Sequence, residues 1–136
     1  MPTGETDSLV IVHRLITALN RLHLDEALEL TSPDIRVETP LIELWHLSRS
    51  GHGLVRDWFE RIGREWAFLE AYDIELEELD SWVLGRMRAR GRGKGSREVL
   101  EWELHIAARV AGGKVARFGS YLDRQRARDA IASDLR

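Results

Sequence analysis

Residues 96–122, SREVLEWELHIAARVAGGKVARFGSYL, restrict the fold of this chain more than any other stretch. Leu100, Trp102, Leu104, Ile106, Ala108 and Val110 fall on even positions, and Glu101, Glu103, His105 and Arg109 fall on odd ones. A period of two belongs to a strand whose side chains point alternately to opposite faces. The AGG that follows supplies the positive φ of a tight hairpin turn, so KVARFGSYL returns as an antiparallel strand. A long hairpin with one apolar face is not stable alone. Something else in the chain must cover that face.

The cover lies upstream. Leu9, Val12, Leu15, Ile16 and Leu19 recur at helical spacing and predict a helix from about residue 7 to residue 22. LDEALELTSPD predicts a short second helix, ended near Ser32 because the residue before Pro33 avoids helical geometry. DIRVETP reads as a short strand broken by Pro40, and LIELWHLSRSGHG as an irregular segment with room for a second short strand. Leu54, Val55, Trp58, Phe59, Ile62 and Trp66 form a broad apolar stripe on a third helix, from about residue 54 to residue 66. AYDIELEELD and SWVLGRMRARG then alternate as strands around a turn at Asp80 and Ser81. A closing helix begins near Arg124. Helices first, then consecutive hairpin-linked strands, define an α+β class with helices on one face of an antiparallel sheet.

Composition narrows what such a domain can do. At 136 residues the chain is read as a single domain, residues 1–136. Its 43% hydrophobic and 32% charged content suits a globular domain. It has no cysteine, which excludes disulfides and thiolate chemistry. No apolar run approaches a membrane span, and MPTGETDSLV has no basic-then-apolar leader pattern, so a cytoplasmic location and no membrane partner are expected. The net charge of -3 gives the whole chain no electrostatic reason to bind nucleic acid.

Three segments carry a family resemblance: LDEALELTSPDIRVETP after the first helix, GHGLVRDWFERI opening the third, and GGKVARFGSYLDRQRA near the end. In order and spacing the chain resembles the SnoaL-like branch of the nuclear transport factor 2-like superfamily, from about Leu9 to Ala132. That resemblance implies a cone: a strongly curved antiparallel sheet wrapped around three N-terminal helices, with an apolar pocket at one end. The superfamily includes ketosteroid isomerase, polyketide cyclases, limonene epoxide hydrolase, scytalone dehydratase and binding proteins without catalysis. Fold alone therefore leaves function open.

The resemblance can be tested residue by residue. VETP is similar to the segment that carries the proton-shuttling aspartate of ketosteroid isomerase, and that position holds Thr39. Threonine cannot take a proton near neutral pH. The family's oxyanion-hole tyrosine falls near Leu15, which has no donor, and Glu38 is one residue off, on the opposite face of a strand. Ketosteroid isomerase chemistry is not expected. In the polyketide cyclases an aspartate after the last strand serves as acid and base, and Asp123 matches that position. Asp123 is equally well placed to cap the helix DRQRARDAI, a role that would lower its pKa and weaken it as a base.

Five tryptophans, Trp45, Trp58, Trp66, Trp82 and Trp102, are many for this length. Most suit an ordinary core. Trp58 and Trp102, with Tyr121, are the candidates to line a pocket for a flat apolar ligand. His46 and His52 flank the loop before the third helix. His46 is a candidate base or donor at the pocket mouth and His52 a candidate ligand contact. Glu101, Glu103 and His105 share a strand face, and a metal there would need further ligands from neighbouring segments; the family resemblance implies instead that this face, away from the pocket, makes a two-fold contact between copies, with Arg109 as a partner. RMRARGRGKGSR is basic, but no aromatic is interleaved for base stacking, and Glu75, Glu77 and Glu78 stand ready to neutralise it.

The expected function is binding of a small apolar polyketide-, terpenoid- or steroid-like molecule, with Asp123 and His46 as the candidates if there is acid-base catalysis (a cyclase, isomerase, hydrolase or dehydratase). The alternative is a non-catalytic ligand-binding or accessory dimerisation module. No cofactor, no metal and no nucleic acid is expected, and the chain is expected to form a homodimer.

Overall fold

Gly112 and Gly113 hold φ of 60° and 76° between the paired residues Ala111 and Lys114. Positive φ at both central positions is the hairpin turn that matches strand twist. In the computed structural model, which describes residues 4–47 and 50–134, this hairpin is the centre of a five-stranded sheet. Its strands are β1 (Thr31–Glu38), β2 (Trp66–Leu79), β3 (Trp82–Gly93), β4 (Leu100–Ala111) and β5 (Lys114–Tyr121). The order is β1-β5-β4-β3-β2, antiparallel except for β1, which runs parallel to β5. Five helices accompany it: α1 (Gly4–Arg21), α2 (Leu24–Leu30), α3 (Pro40–Trp45), α4 (His52–Glu65) and α5 (Arg124–Asp134).

The expected faces meet. Val12, Leu15, Ile16 and Ala18 of α1 and Leu54, Val55, Trp58, Phe59 and Ile62 of α4 are buried against Val83, Met87, Ala89, Leu104, Ile106, Ala108 and Phe118 of the sheet. Each fully buried large side chain there stabilises the fold by about 1.5–3 kcal/mol. The opposite face of the sheet holds a second, smaller core. Ala127, Ala130 and Ile131, at i, i+3 and i+4 on α5, cover Trp82, Ala107 and Tyr121.

The sheet curves where β2 carries an extra residue. Asp73 and Ile74 together oppose Met87, between the pairs Tyr72–Arg88 and Glu75–Arg86, and Asp73 has φ of 51°. Such a bulge increases local twist and bends its strand. β2 is also an edge, whose backbone needs partners. Asn20 supplies two: its amide donates to the Ala71 carbonyl at 2.8 Å and accepts from the Ala71 N–H at 2.7 Å. One side chain thus clips α1 to the rim of the sheet.

Two segments differ from the sequence reading. LIELW is a helix rather than irregular chain: Thr39 caps it through a bond from the Ile42 N–H at 3.2 Å, and Pro40 sits at its first turn. The proline that stops β1 also starts α3, because its fixed φ suits a first helical position. Trp66 leaves the apolar stripe of α4 and opens β2 opposite Gly93. Strand pairing suits a tryptophan better than another helical turn. Pro33 lies in β1 where pairing with β5 lapses between Thr31 and Arg36, so its missing N–H leaves no ladder bond unmade.

Candidate functional site

Between the helices and the concave face of the sheet lies a cavity of about 380 Å³. Strand alternation builds its far wall. Met87 and Ala89 of β3 face it, as do Trp102 and Leu104 of β4 and Phe118 and Ser120 of β5. Ala89 is paired directly with Trp102, so a small residue leaves room for the indole. Trp66 meets Trp102 with ring centroids 6.1 Å apart. Gly91 makes this contact feasible, since a Cβ there would lie 2.8 Å from the Trp66 ring. From α4, Trp58 stands edge-on to Phe59 at 5.7 Å and tilted against Phe118 at 6.3 Å. The cavity reaches the surface beside Leu100 and Leu122, which are 49% and 63% exposed.

The polar groups of this cavity are few and their states differ. Asn20 is bound to Ala71 through its amide oxygen and one N–H. Glu70 is bound by Arg90, at 2.9 Å to Nε and 2.8 Å to Nη2. The Thr39 hydroxyl oxygen accepts from Ile42, which leaves its own proton to donate. Ser120 lines the cavity and is 4% exposed. The Trp58 indole N–H is buried and has no hydrogen-bond partner among the described residues. A buried unpaired donor costs about 1–3 kcal/mol. The Thr39 and Ser120 hydroxyls can each donate and accept. Among the described lining residues there is no histidine and no unpaired carboxylate.

The residues singled out from sequence are dispersed. Trp58 and Trp102 line the cavity together. Asp123 lies outside it, exposed at the start of α5, with Oδ1 accepting from the Gln125 N–H at 2.7 Å. His46 is the exposed left-handed residue that closes α3, with φ of 55°. His52 opens α4 and its Nε2 is 3.1 Å from the Thr31 carbonyl oxygen. The Thr31 hydroxyl donates to Ala27, so the Nε2–H tautomer fits this geometry and pins α4 to the start of β1.

Tyr121 points to the other face of the sheet. Its ring folds back over Gly119, and its hydroxyl donates to Glu38 Oε1 at 2.6 Å. Arg117 approaches the same carboxylate at 3.7 Å, and the Arg126 guanidinium lies 5.7 Å from the Tyr121 ring. Burial, then the hydrogen bond and charge of Glu38, push the Tyr121 phenol above its ordinary pKa, and Arg117 partly opposes this. Glu38 is thus turned away from the cavity while its neighbour Thr39 faces it, as expected for adjacent residues at a strand end.

The outer face also accounts for the basic run. Arg86 pairs with Glu75 and lies 3.7 Å from Glu103, Arg90 holds Glu70, and Arg88 reaches the Tyr72 hydroxyl at 3.4 Å. Tyr72 in turn donates to Glu101 at 2.8 Å, and His105 lies 3.3 Å from Glu103. Among the described residues no group of three or more His, Asp or Glu is placed to hold a metal ion. No helix among them is long and apolar enough to cross a membrane.

Sequence reasoning missed Thr39 as a cavity donor, Asn20 as the clip, and Trp66, Met87, Phe118 and Ser120 as wall. Alternation already contained the last three. Met87 and Ala89, like Phe118 and Ser120, share the parity of the strand face that the helices cover.

A curved, mostly antiparallel sheet closed by helices around an apolar cavity defines a nuclear transport factor 2-like fold. The chain belongs to the SnoaL-like domain family, whose sequence model matches residues 12–118. Solved structures agree on the fold. A protein of unknown function from Burkholderia pseudomallei, described as NTF2-like, superposes with a TM-score of 0.74 at 18% identity, covering 88% of this chain and 93% of its own. A proposed polyketide cyclase from Xanthomonas campestris gives 0.73 at 16% identity, covering 91% and 96%. TerC, co-crystallized with polyporic acid, gives 0.74 at 12% identity, covering 93% and 98%. No curated protein matches the chain.

Proposed function

We propose that this protein binds a small, flat, oxygen-bearing organic molecule, polyketide-, terpenoid- or steroid-like in kind, in the aromatic cavity. One observation carries this reading: Trp58, Trp66, Trp102 and Phe118 surround about 380 Å³ that the Thr39 and Ser120 hydroxyls also line. That volume falls within the range of small-molecule sites. Aromatic walls favour a planar ligand, and hydroxyls able to donate favour one with a carbonyl or ether oxygen over a hydrocarbon. The co-crystallization of TerC with polyporic acid supports the view that this fold accommodates organic molecules of that kind.

Titration with 9-fluorenone and with fluorene, followed by tryptophan fluorescence, tests the proposal. Quenching by both is expected, with the ketone binding about three- to tenfold tighter through one new hydrogen bond. Trp102→Ala should weaken binding by more than ~1 kcal/mol. Absence of quenching, or unchanged affinity in a folded Trp102→Ala variant, overturns it.

The proposed polyketide cyclase among the structural neighbours supports a second reading, acid-base chemistry through Asp123 or His46. It requires Asp123 to leave the Gln125 amide and turn towards the substrate. A homodimer through the outer face of the sheet is the remaining part of the proposal. Its carboxylates are already met within the chain, so a second copy would cover neutralised pairs rather than bare charges. Sedimentation should give about twice the 15.6 kDa chain mass, and a strict monomer at micromolar concentration removes the dimer.

A further inference from the structure

A second hollow, a groove of about 690 Å³, adjoins the aromatic cavity and shares Asn20, Ile62, Trp66, Leu69 and Glu70 with it. Its character is different. Phe68 and Val99 give it an apolar floor, while Arg21, Arg90 and Lys94 line it with cations. Arg90 is committed to Glu70, the one carboxylate among the lining residues. Arg21 and Lys94 have no carboxylate partner among the described residues. Positive charge gathers here on a chain whose net charge is -3.

Helix ends explain part of this placement. Arg21 stands in the last turn of α1, and the Lys94 N–H donates to the Glu65 carbonyl at the end of α4 at 3.0 Å. Each helix C-terminus carries roughly half a negative charge. Two such ends offset only about one of the two free cations. Roughly one unit of positive charge is left facing a groove that opens onto an aromatic cavity.

We infer that the ligand is an aromatic organic anion: its rings lie against Trp66 and Trp102, and its carboxylate, sulfonate or ionised enol rests in the groove between Arg21 and Lys94. This deepens the proposed function and rests on its reading of the cavity. Arg21 and Lys94 are then selectivity residues, which tell an acidic ligand from its neutral counterpart. The cations are solvent-exposed, so their effect is moderate and sensitive to salt.

A matched pair of fluorescent probes tests this. 8-Anilinonaphthalene-1-sulfonate and N-phenyl-1-naphthylamine share the same rings and differ by the sulfonate. At low salt the sulfonate should bind about fivefold tighter, and the gap should close in about 0.5 M sodium chloride. The double variant Arg21→Gln, Lys94→Gln should abolish the gap while N-phenyl-1-naphthylamine affinity stays within about twofold. Trp102→Ala should weaken both probes, which locates their rings in the cavity. Equal binding of the two probes to the unaltered chain, or a gap that survives the double variant, overturns the inference and leaves the cavity reading standing. Binding of neither probe, or binding of both untouched by Trp102→Ala, overturns the cavity reading and the inference with it.

Discussion

The two faces of this one sheet divide the chemistry of the chain between them. Along β4, Trp102 and Leu104 look into the aromatic cavity, while Glu101, Glu103 and His105 join a ladder of charges on the outside. Along β5, Phe118 and Ser120 look in, and Arg117 and Tyr121 look out to Glu38. Groups able to move protons are present in the chain, but the described ones face outward, cap helices or are paired. The cavity is lined by the hydroxyls of Thr39 and Ser120 and, among the described residues, by no histidine. The comparison teaches that a SnoaL-like sequence can hold acids and bases at suggestive positions while the fold turns them away from its cavity.

The largest expected effect comes from exchanging the character of the two faces. Leu104→Asp, at a position 7% exposed on the cavity side, should cost about 3 kcal/mol or more, because a carboxylate there has no partner. Glu103→Gln, one residue away on the outer face, should change stability by no more than about 0.5 kcal/mol. Urea denaturation of both variants measures the contrast. Similar losses from the two would break the division.

A smaller effect concerns the outer cluster around Tyr121. Its phenol is held above its ordinary pKa by burial and by Glu38, so the folded state favours the protonated form. The stability it contributes is fully present below the unfolded value of about 10 and is lost as pH rises through the higher folded value. Unfolding free energy should therefore fall above about pH 10. Tyr121→Phe should cost about 1 kcal/mol at neutral pH and flatten that alkaline fall. An unchanged alkaline slope in Tyr121→Phe would remove Tyr121 as its source.

The smallest effect is the most informative about catalysis. Asn caps helices about as well as Asp, so Asp123→Asn should cost only a few tenths of a kcal/mol plus a small dipole contribution. Ligand affinity in the cavity should not change. Loss of most turnover on any substrate found for the protein would instead establish proton transfer by Asp123, since an amide cannot exchange that proton.

Much of the fold was legible because its signals repeat locally. The alternation from Leu100 to Val110, the Gly112–Gly113 turn and the α1 and α4 stripes each read correctly from spacing alone. The misreadings fell where two local rules competed. Thr39 and Pro40 are both a strand stop and a helix start, and Trp66 extends a helical stripe yet pairs as a strand. The site was less legible. Trp58 and Trp102 could be chosen as large aromatics on apolar faces, but nothing local says that Trp66 would reach Trp102 across Gly91.

By itself, then, the sequence determined the periods, the turn and the order of helices before strands. It also determined that no base stands at position 39, because residue type and spacing are properties of the chain alone. Only the tertiary structure decided which partner each group obtained. Asn20 finds Ala71, 51 residues away, and Tyr121 finds Glu38, 83 residues away. Such pairs depend on strand register and on the bend at Asp73. The same register turned Arg86 and Arg90 of β3 to their glutamates. Hydrogen bonds and ion pairs act over a few ångströms, so their partners are chosen only when the fold has brought distant segments together.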